Sequence, residues 1–532
     1  MRRLLFHAVV AVALAGPTAA AAAPPLFIVE GRGWGHGIGL AQYGAYGYAR
    51  EEGRSYAWIL EHYYPGTTLG RAPVAAVRVL LADDRRSLTV GSDAPFSVTD
   101  AEGRRFELPR GSIELDSSLR VRARGELRRL AGPVEFTRGA SYLELGGRPY
   151  RGKLVVRTSG GTVAAINHVG LEEYLYGVVP DEMPPTWAME ALKAQAVAAR
   201  SYAVVSRRTG GVFDVFPDTR SQVYGGVASE EARTNAAIDA TAGDVVMHGG
   251  RVAHTFFHST SGGRTAAIED VWNAAPVPYL VSVPDPHDRI SPHHRWGPLR
   301  FTGSELARRL GSLTPRGSLL DLVVSRNRSQ RAESVTARGS RGTTRFAGTS
   351  FQSRLDLRSS WFSVGVLSLT GSVRVTFGER ASLRGIARVP GAAWLERRVW
   401  NGSWERVGRA ARTDAGTFRA VARPTATTWY RVASRSGAGL AHRVAVAPLV
   451  RLTEVRRGQT LVGFVRPATA GARVSVQRLS GGRWTTVARS QTDASGRFRV
   501  GVGLEPGTYR AVATLGRGYA PGASTLFDVV AR

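Results

Sequence analysis

Residues 370–532 repeat themselves. Trp404 and Trp484 stand 80 residues apart, as do Phe418 and Phe498. Thr413-Asp-Ala-Gly416 is echoed by Thr492-Asp-Ala-Ser-Gly496, and Trp429-Tyr-Arg431 by Thr508-Tyr-Arg510. Each copy holds several short runs that alternate apolar and polar residues between turn signals. Such a unit predicts two β-sandwich domains, over 370–449 and 450–532.

Charge is spread unevenly over the 532 residues. The chain carries 71 basic and 42 acidic side chains, a net charge of +29. Of the basic ones only Lys153 and Lys193 are lysine, so arginine usage reflects a coding bias before it reflects phosphate recognition. The tail at 370–532 holds 27 basic and eight acidic residues, whereas 166–290 holds nine basic and 15 acidic. The basic tail suits anionic cell-wall polymers, or it is simply an arginine-coded soluble surface. Cysteine is absent, which excludes a disulfide scaffold, thiol catalysis and Cys-ligated zinc. Arg2 and Arg3, the apolar stretch Leu4–Ala15 and the small residues Thr18–Ala23 read as a secretory signal over 1–23. A secreted, wall-associated protein follows, with no membrane span in the mature chain. Export argues against nucleic acid as a partner.

The body before the tail divides into further segments. Residues 26–70 open with Gly31-Arg-Gly-Trp-Gly-His-Gly-Ile-Gly39, then show helical patterns near 40–52 and 55–64. Residues 74–165 alternate in period two and predict a β-rich subdomain. Over 166–368 the pattern is mixed. A helix is expected from Pro184-Pro185 to about Ser206, with proline in its first turn. A second is expected from Glu230 to Ala240, then strands at Asp244–Met247 and Arg251–His258. The fold class expected is an α+β domain with a β-rich inserted subdomain, followed by the two β-sandwiches.

The densest chemistry lies in Leu171–Tyr202. Glu182 sits between Pro180 and Pro184-Pro185, which restrict the backbone on both sides. Apolar neighbours Val179 and Met183 favour a protonated carboxyl that acts as a general acid. A carboxylate on a helix dipole is the alternative. Glu190 and Lys193 are spaced for a surface pair. Arg200 follows on the face of Lys193, as a sugar contact or a salt bridge. His254 and His258 are four apart, but Val252, Phe256 and Phe257 speak for a strand, and no third ligand has a recognisable spacing, so no metal or other cofactor is expected.

Several segments together resemble the SpoIID/LytB family (stage II sporulation protein D and its relatives). They are Glu173-Tyr-Leu-Tyr-Gly-Val-Val179 with Glu182-Met-Pro184; Ala191–Tyr202; Ser221-Gln-Val-Tyr-Gly225; Phe257-His-Ser-Thr-Ser-Gly-Gly-Arg-Thr265; and Val271-Trp272 with Pro278-Tyr-Leu280. Gly33-Trp-Gly-His-Gly-Ile-Gly-Leu-Ala-Gln-Tyr-Gly-Ala45 also matches, but the family carries it after the core, so the order here looks circularly permuted. The resemblance implies a peptidoglycan lytic transglycosylase that cleaves glycan strands with Glu182 as its one catalytic carboxyl. The rival it implies is a non-catalytic wall-binding protein or activator of a separate wall hydrolase. It further implies sugar-contacting roles for Arg200, Gln222, Tyr224, Ser259, Ser261 and Tyr279, and a groove completed by His36, Gln42 and Tyr43. Turn or core packing is the alternative for each. Some relatives use Cys and His ligands for zinc, a trait a cysteine-free chain does not inherit.

Overall fold

The computed structural model describes residues 24–529 apart from positions 124, 209, 457–459, 502, 504 and 517. The signal expected over 1–23 lies outside the described residues.

Strand β1 (Leu26–Gly31) is buried on both faces, because successive side chains of a strand point to opposite sides. Phe27 and Val29 enter a core with Phe301, Leu306, Leu322 and Phe351. Ile28 enters the core of the first tail repeat, beside Leu367, Leu383 and Phe418. The strand lies inside one antiparallel sheet, in the order 296–302, β1, 362–371, 381–388 and 417–422. The boundary expected at 370 therefore falls within a continuous strand, Phe362–Gly371. The first sandwich is built on a sheet that the N-terminal segment helps to form, and alternation on one strand cannot reveal which distant strand it joins.

After β1 the chain threads along 256–266. Gly33, Gly35, Gly37 and Gly39 all adopt positive φ, between +70° and +104°. A Cβ on Gly39 would stand 2.1 Å from the Phe256 carbonyl oxygen, so only glycine permits this approach. Strand β2 (Leu40–Ala41) pairs in parallel with Phe257–His258. Helices α1 (Gln42–Glu52) and α2 (Tyr56–Tyr63) follow, close to the expected limits, and the Ser55 hydroxyl caps α2 by accepting from the Trp58 amide.

The β-rich subdomain has a six-stranded and a four-stranded sheet around Phe96, Val98, Leu115, Phe136 and Leu154. Its last strand, Thr162–Gly170, overruns the boundary expected at 165 and leads directly into α3 (Leu171–Tyr176) and α4 (Val179–Glu182). Helix α5 (Met189–Val205) begins later than expected. Pro184 and Pro185 form a turn before it, closed by the Trp187 amide donating to the Pro184 carbonyl and fastened by Arg233, which donates to the carbonyls of Pro185 and Trp187. Helix α5 is alanine-rich and buried nearly all round. Ala191, Leu192, Ala194, Val197 and Ala198 meet the core containing α1 and α2, while Ala196, Ala199 and Ala203 meet Leu175, Val179 and Ile238. Small side chains admit neighbours on every side, so this helix has no solvent stripe. Helix α6 (Ala232–Asp239) packs beside it. The strand expected over Arg251–His258 is interrupted: only 251–252 and 257–258 pair, because residues between them turn inward to meet the glycine-rich segment.

The tail repeats are strand-built and match in their chemistry. Phe418 and Phe498 each lie in a core beneath a glycine, Gly385 and Gly463. Arg431 lies 4.0 Å over the Trp404 ring, and Arg510 4.1 Å over Trp484. Among the described residues no helix is long and apolar enough to cross a membrane.

Candidate active site around Glu182

Glu182 ends α4, half-buried, where Met183 turns the chain into extended backbone. Burial pushes its carboxyl up from 4.5 to about 6; Gln42 opposes the rise by hydrogen bonding, and the neighbouring Asp181 charge adds to it. The Gln42 amide nitrogen donates to Glu182 Oε2 at 3.2 Å. That bond spans 140 residues and joins the N-terminal segment to the core motif. Gln42 itself is 7% exposed, so the donor is held by packing. Beside it, the Tyr43 amide donates to the Ser259 carbonyl, and the Tyr43 ring meets Trp187 edge-on at 4.7 Å. Tyr46 stacks on the same indole at 4.6 Å. Glu182 in turn raises the phenols of Tyr174 and Tyr202, after burial of each.

The other acids in the region are spoken for. Asp214 is ion-paired with Arg78 and held below its ordinary range despite burial. Asp218 is lowered to about 2 by Arg220. Asp181 accepts from the Ser229 hydroxyl. Burial raises Asp285 to about 7, but that side chain is wholly enclosed next to Tyr63 and Asp288. Among the described acids with a raised carboxyl, Glu182 is the one with a partly open side.

Several sequence-chosen residues have structural settings. Arg200 is fully buried; its guanidinium embraces Glu172 and donates to the carbonyls of Asp244 and Ile238, which leaves no face for a sugar. Tyr224 is buried between Tyr150 and Tyr174, and its hydroxyl donates to Asn167. Ser261 is buried, its amide donating to Asp288 and its hydroxyl accepting from Gly263. Gln222 is 2% exposed and accepts from the Tyr174 hydroxyl, which ties it to a ring near Glu182. Ser259 and Tyr279 are half-buried; Tyr279 accepts from the His254 amide through its hydroxyl. His36 accepts from the Ile38 amide and lies 5.1 Å from Trp272 and 5.4 Å from His258; burial pushes it down to about 4, so it is neutral.

His254 contacts the Ser206 hydroxyl, while His258 contacts the Ile38 carbonyl. Among the described residues no group of three or more His, Cys, Asp or Glu side chains is placed to hold a metal ion.

The sequence pattern does not show that Tyr174 and Tyr202 lie near enough to Glu182 to feel its charge, or that Trp187 packs against Tyr43 and Tyr46. Tyr174 and Tyr202 stand inside the matching motifs, but each also fits a helical core position.

Residues 159–248 match the family described as Stage II sporulation protein (SpoIID), a span that contains α3 to α6 and Glu182. This region belongs to the SpoIID family. The amidase enhancer of Bacillus subtilis is 43% identical over 115 residues, covering 21% of this chain and 15% of that protein. Stage II sporulation protein D of the same organism is 36% identical over 167 residues, 28% of this chain and 47% of that one. An uncharacterized protein of Brachyspira hyodysenteriae is 39% identical over 142 residues, 26% of this chain and 38% of that one. The chain thus spans less than half the length of each of these relatives. A two-domain fibronectin type III segment of chicken tenascin overlaps 31% of the chain at a TM-score of 0.21 and 14% identity, too distant to bear on the fold. The family and the relatives' names point to a cell-wall-related role.

Proposed function

We propose that the protein is an exported peptidoglycan lytic transglycosylase in which Glu182 is the single catalytic carboxyl. The observation that carries the reading is the half-buried carboxyl lifted to about 6 and held by Gln42 from the other end of the chain. At mildly acidic pH a substantial fraction of such a group is protonated and ready to act as general acid. Glu182 gives its proton to the glycosidic oxygen as the bond from the anomeric carbon to that oxygen breaks. The carboxylate then removes the proton of the muramic C6 hydroxyl, whose oxygen bonds to the same anomeric carbon. The products are a free 4-hydroxyl on one sugar and a 1,6-anhydro end on the other. Glu182 ends protonated, no water is consumed, and a second carboxylate is not required, in contrast to ordinary glycosidases. Gln42 orients the carboxyl in both states and bonds the carboxylate more strongly, which is why it opposes the rise. The half-buried aromatics Tyr43 and Tyr202 offer ring faces for a glycan, with Trp187 packed behind Tyr43.

The amidase enhancer relative supports a second reading, in which the same region binds wall polymer and activates a separate hydrolase. Incubation with purified glycan strands separates the two. Anhydro-ended products that vanish in Glu182→Gln support the enzyme; strand binding without cleavage by the native protein supports the activator.

A further inference from the structure

Three cavities adjoin across the seam between the core and the first tail repeat. The central one, about 620 Å³, is walled by Arg32, Arg295, Trp296, Arg326 and Trp361, with Pro390 of the repeat at its edge. A second of about 510 Å³ continues past Trp296 and Gly297 to Trp34 and Arg358. The third, about 530 Å³, shares Arg326, Ser363 and Pro390 and runs on to Arg388 and Arg412. Shared lining residues join the three into one cleft along the seam.

Its chemistry is unusual for a surface seam. Among the described residues none of Arg32, Arg295 and Arg326 has an ion-pair partner. Burial and the nearby charges of Arg295 and Arg326 push Arg32 below its ordinary range, and the three cations share a hollow whose one lining carboxylate is Glu30. The Glu30 carboxylate on the wall accepts from the Ser436 hydroxyl instead. Uncompensated like charge costs stability, and a bound anion removes that cost. The two indoles are fixed. Trp296 donates from its ring nitrogen to the Gly33 carbonyl and lies so close over Gly31 that a Cβ there would be 2.1 Å from the ring. Trp361 is held between Arg32 at 5.4 Å and the buried Arg331 at 5.0 Å.

We propose that this cleft binds an anionic wall glycan, whose sugar rings lie on Trp296 and whose phosphate or carboxylate groups meet Arg32, Arg295 and Arg326. The ring-and-anion chemistry stands on the cleft alone; the choice of a wall glycan over another polyanion rests on the cell-wall reading of the SpoIID region. The cleft would hold the substrate wall while Glu182, reached through the same glycine-rich segment, acts on it. It also narrows the role of the basic tail to its junction with the core.

The test is binding of the mature protein, at low and at high salt, to a phosphodiester-linked wall polymer, to glycan strands bearing stem-peptide carboxylates, and to neutral glycan. Arg32→Ala, Arg295→Ala and Arg326→Ala combined are compared with a charge-matched control, Arg384→Ala, Arg419→Ala and Arg423→Ala, three exposed positions on the first repeat. The cleft variant is expected to bind an anionic polymer at least tenfold more weakly than the control at low salt, the gap shrinking as salt rises. Whichever polymer shows that gap identifies the anion. Trp296→Ala is expected to weaken binding at all salt concentrations. Equal losses in cleft and control variants, neutral glycan bound as tightly as anionic, or single-stranded nucleic acid bound more tightly than either glycan would each overturn the proposal. Glu182→Gln is expected to bind normally, so loss of catalysis and loss of the cleft are read separately. The Arg295→Ala and Arg326→Ala single variants, at exposed positions, guard against misfolding.

Discussion

Glu182→Gln is expected to stabilise the protein at neutral and alkaline pH while abolishing its chemistry. Lifting the carboxyl from 4.5 to about 6 means that folding disfavours its ionised form by roughly 2 kcal/mol. A carboxyl whose folded value lies above the unfolded one binds its proton more tightly in the folded state. The stability it contributes is intact below about 4.5 and is lost as pH rises through about 6. Glutamine carries no charge at any pH and suffers no such loss. The variant should therefore match the native protein near pH 4 and exceed it by up to roughly 2 kcal/mol at pH 8. For a unit of about 200 residues that is a rise of a few degrees in melting temperature. Calorimetric melts of both proteins at the two pH values give the answer, since every other titrating group is common to both and cancels. A Glu182→Gln protein less stable than native at pH 8, or a difference that does not change between pH 4 and 8, would refute the argument that burial raises this carboxyl.

Other expectations follow from the same contacts. Gln42→Ala removes the donor that lowers Glu182, so the alkaline limb of the activity profile should move to higher pH while maximal turnover falls. Arg200→Met leaves the part-exposed Glu172 without its cation and removes the buried donor to the carbonyls of Asp244 and Ile238, and should cost roughly 3 kcal/mol in urea denaturation; unchanged stability would restore a ligand-binding role for Arg200. Gly463→Val forces a side chain into Phe498, whose ring would lie 2.4 Å from the new Cβ, and should unfold the second repeat by proteolysis assay while leaving cleavage of short strands intact. Deletion of residues 31–66 should abolish folding of the core, because β2, α1 and α2 complete it; a fully active deletion would show the segment to be an appendage.

Local pattern makes much of this architecture legible. The limits of α1 and α2, the repeat marked by Phe418 and Phe498, and Glu182 beside its prolines are all written in short stretches of sequence. The exceptions share one cause, which is pairing across long separations. Nothing in Leu26–Gly31 says that its two faces serve two different cores, so a seam placed at 370 cuts through a continuous strand. Arg200 reads as a helical surface residue until α5 is seen to be buried all round, with Glu172 as its partner. The cleft gathers Arg32, Arg295, Arg326 and Trp361 from four separated segments, and no spacing rule connects them. The Gln42 to Glu182 bond is foreshadowed only as a groove shared by two chain segments, through the family resemblance and not through periodicity.

The central claim is that one carboxyl, Glu182, cuts glycan strands without water. Mass spectrometry of strands digested by the mature protein tests it most directly. The account predicts 1,6-anhydro-muramic ends with the native protein and none with Glu182→Gln. Reducing ends formed by water, or anhydro ends that persist in Glu182→Gln, would contradict it.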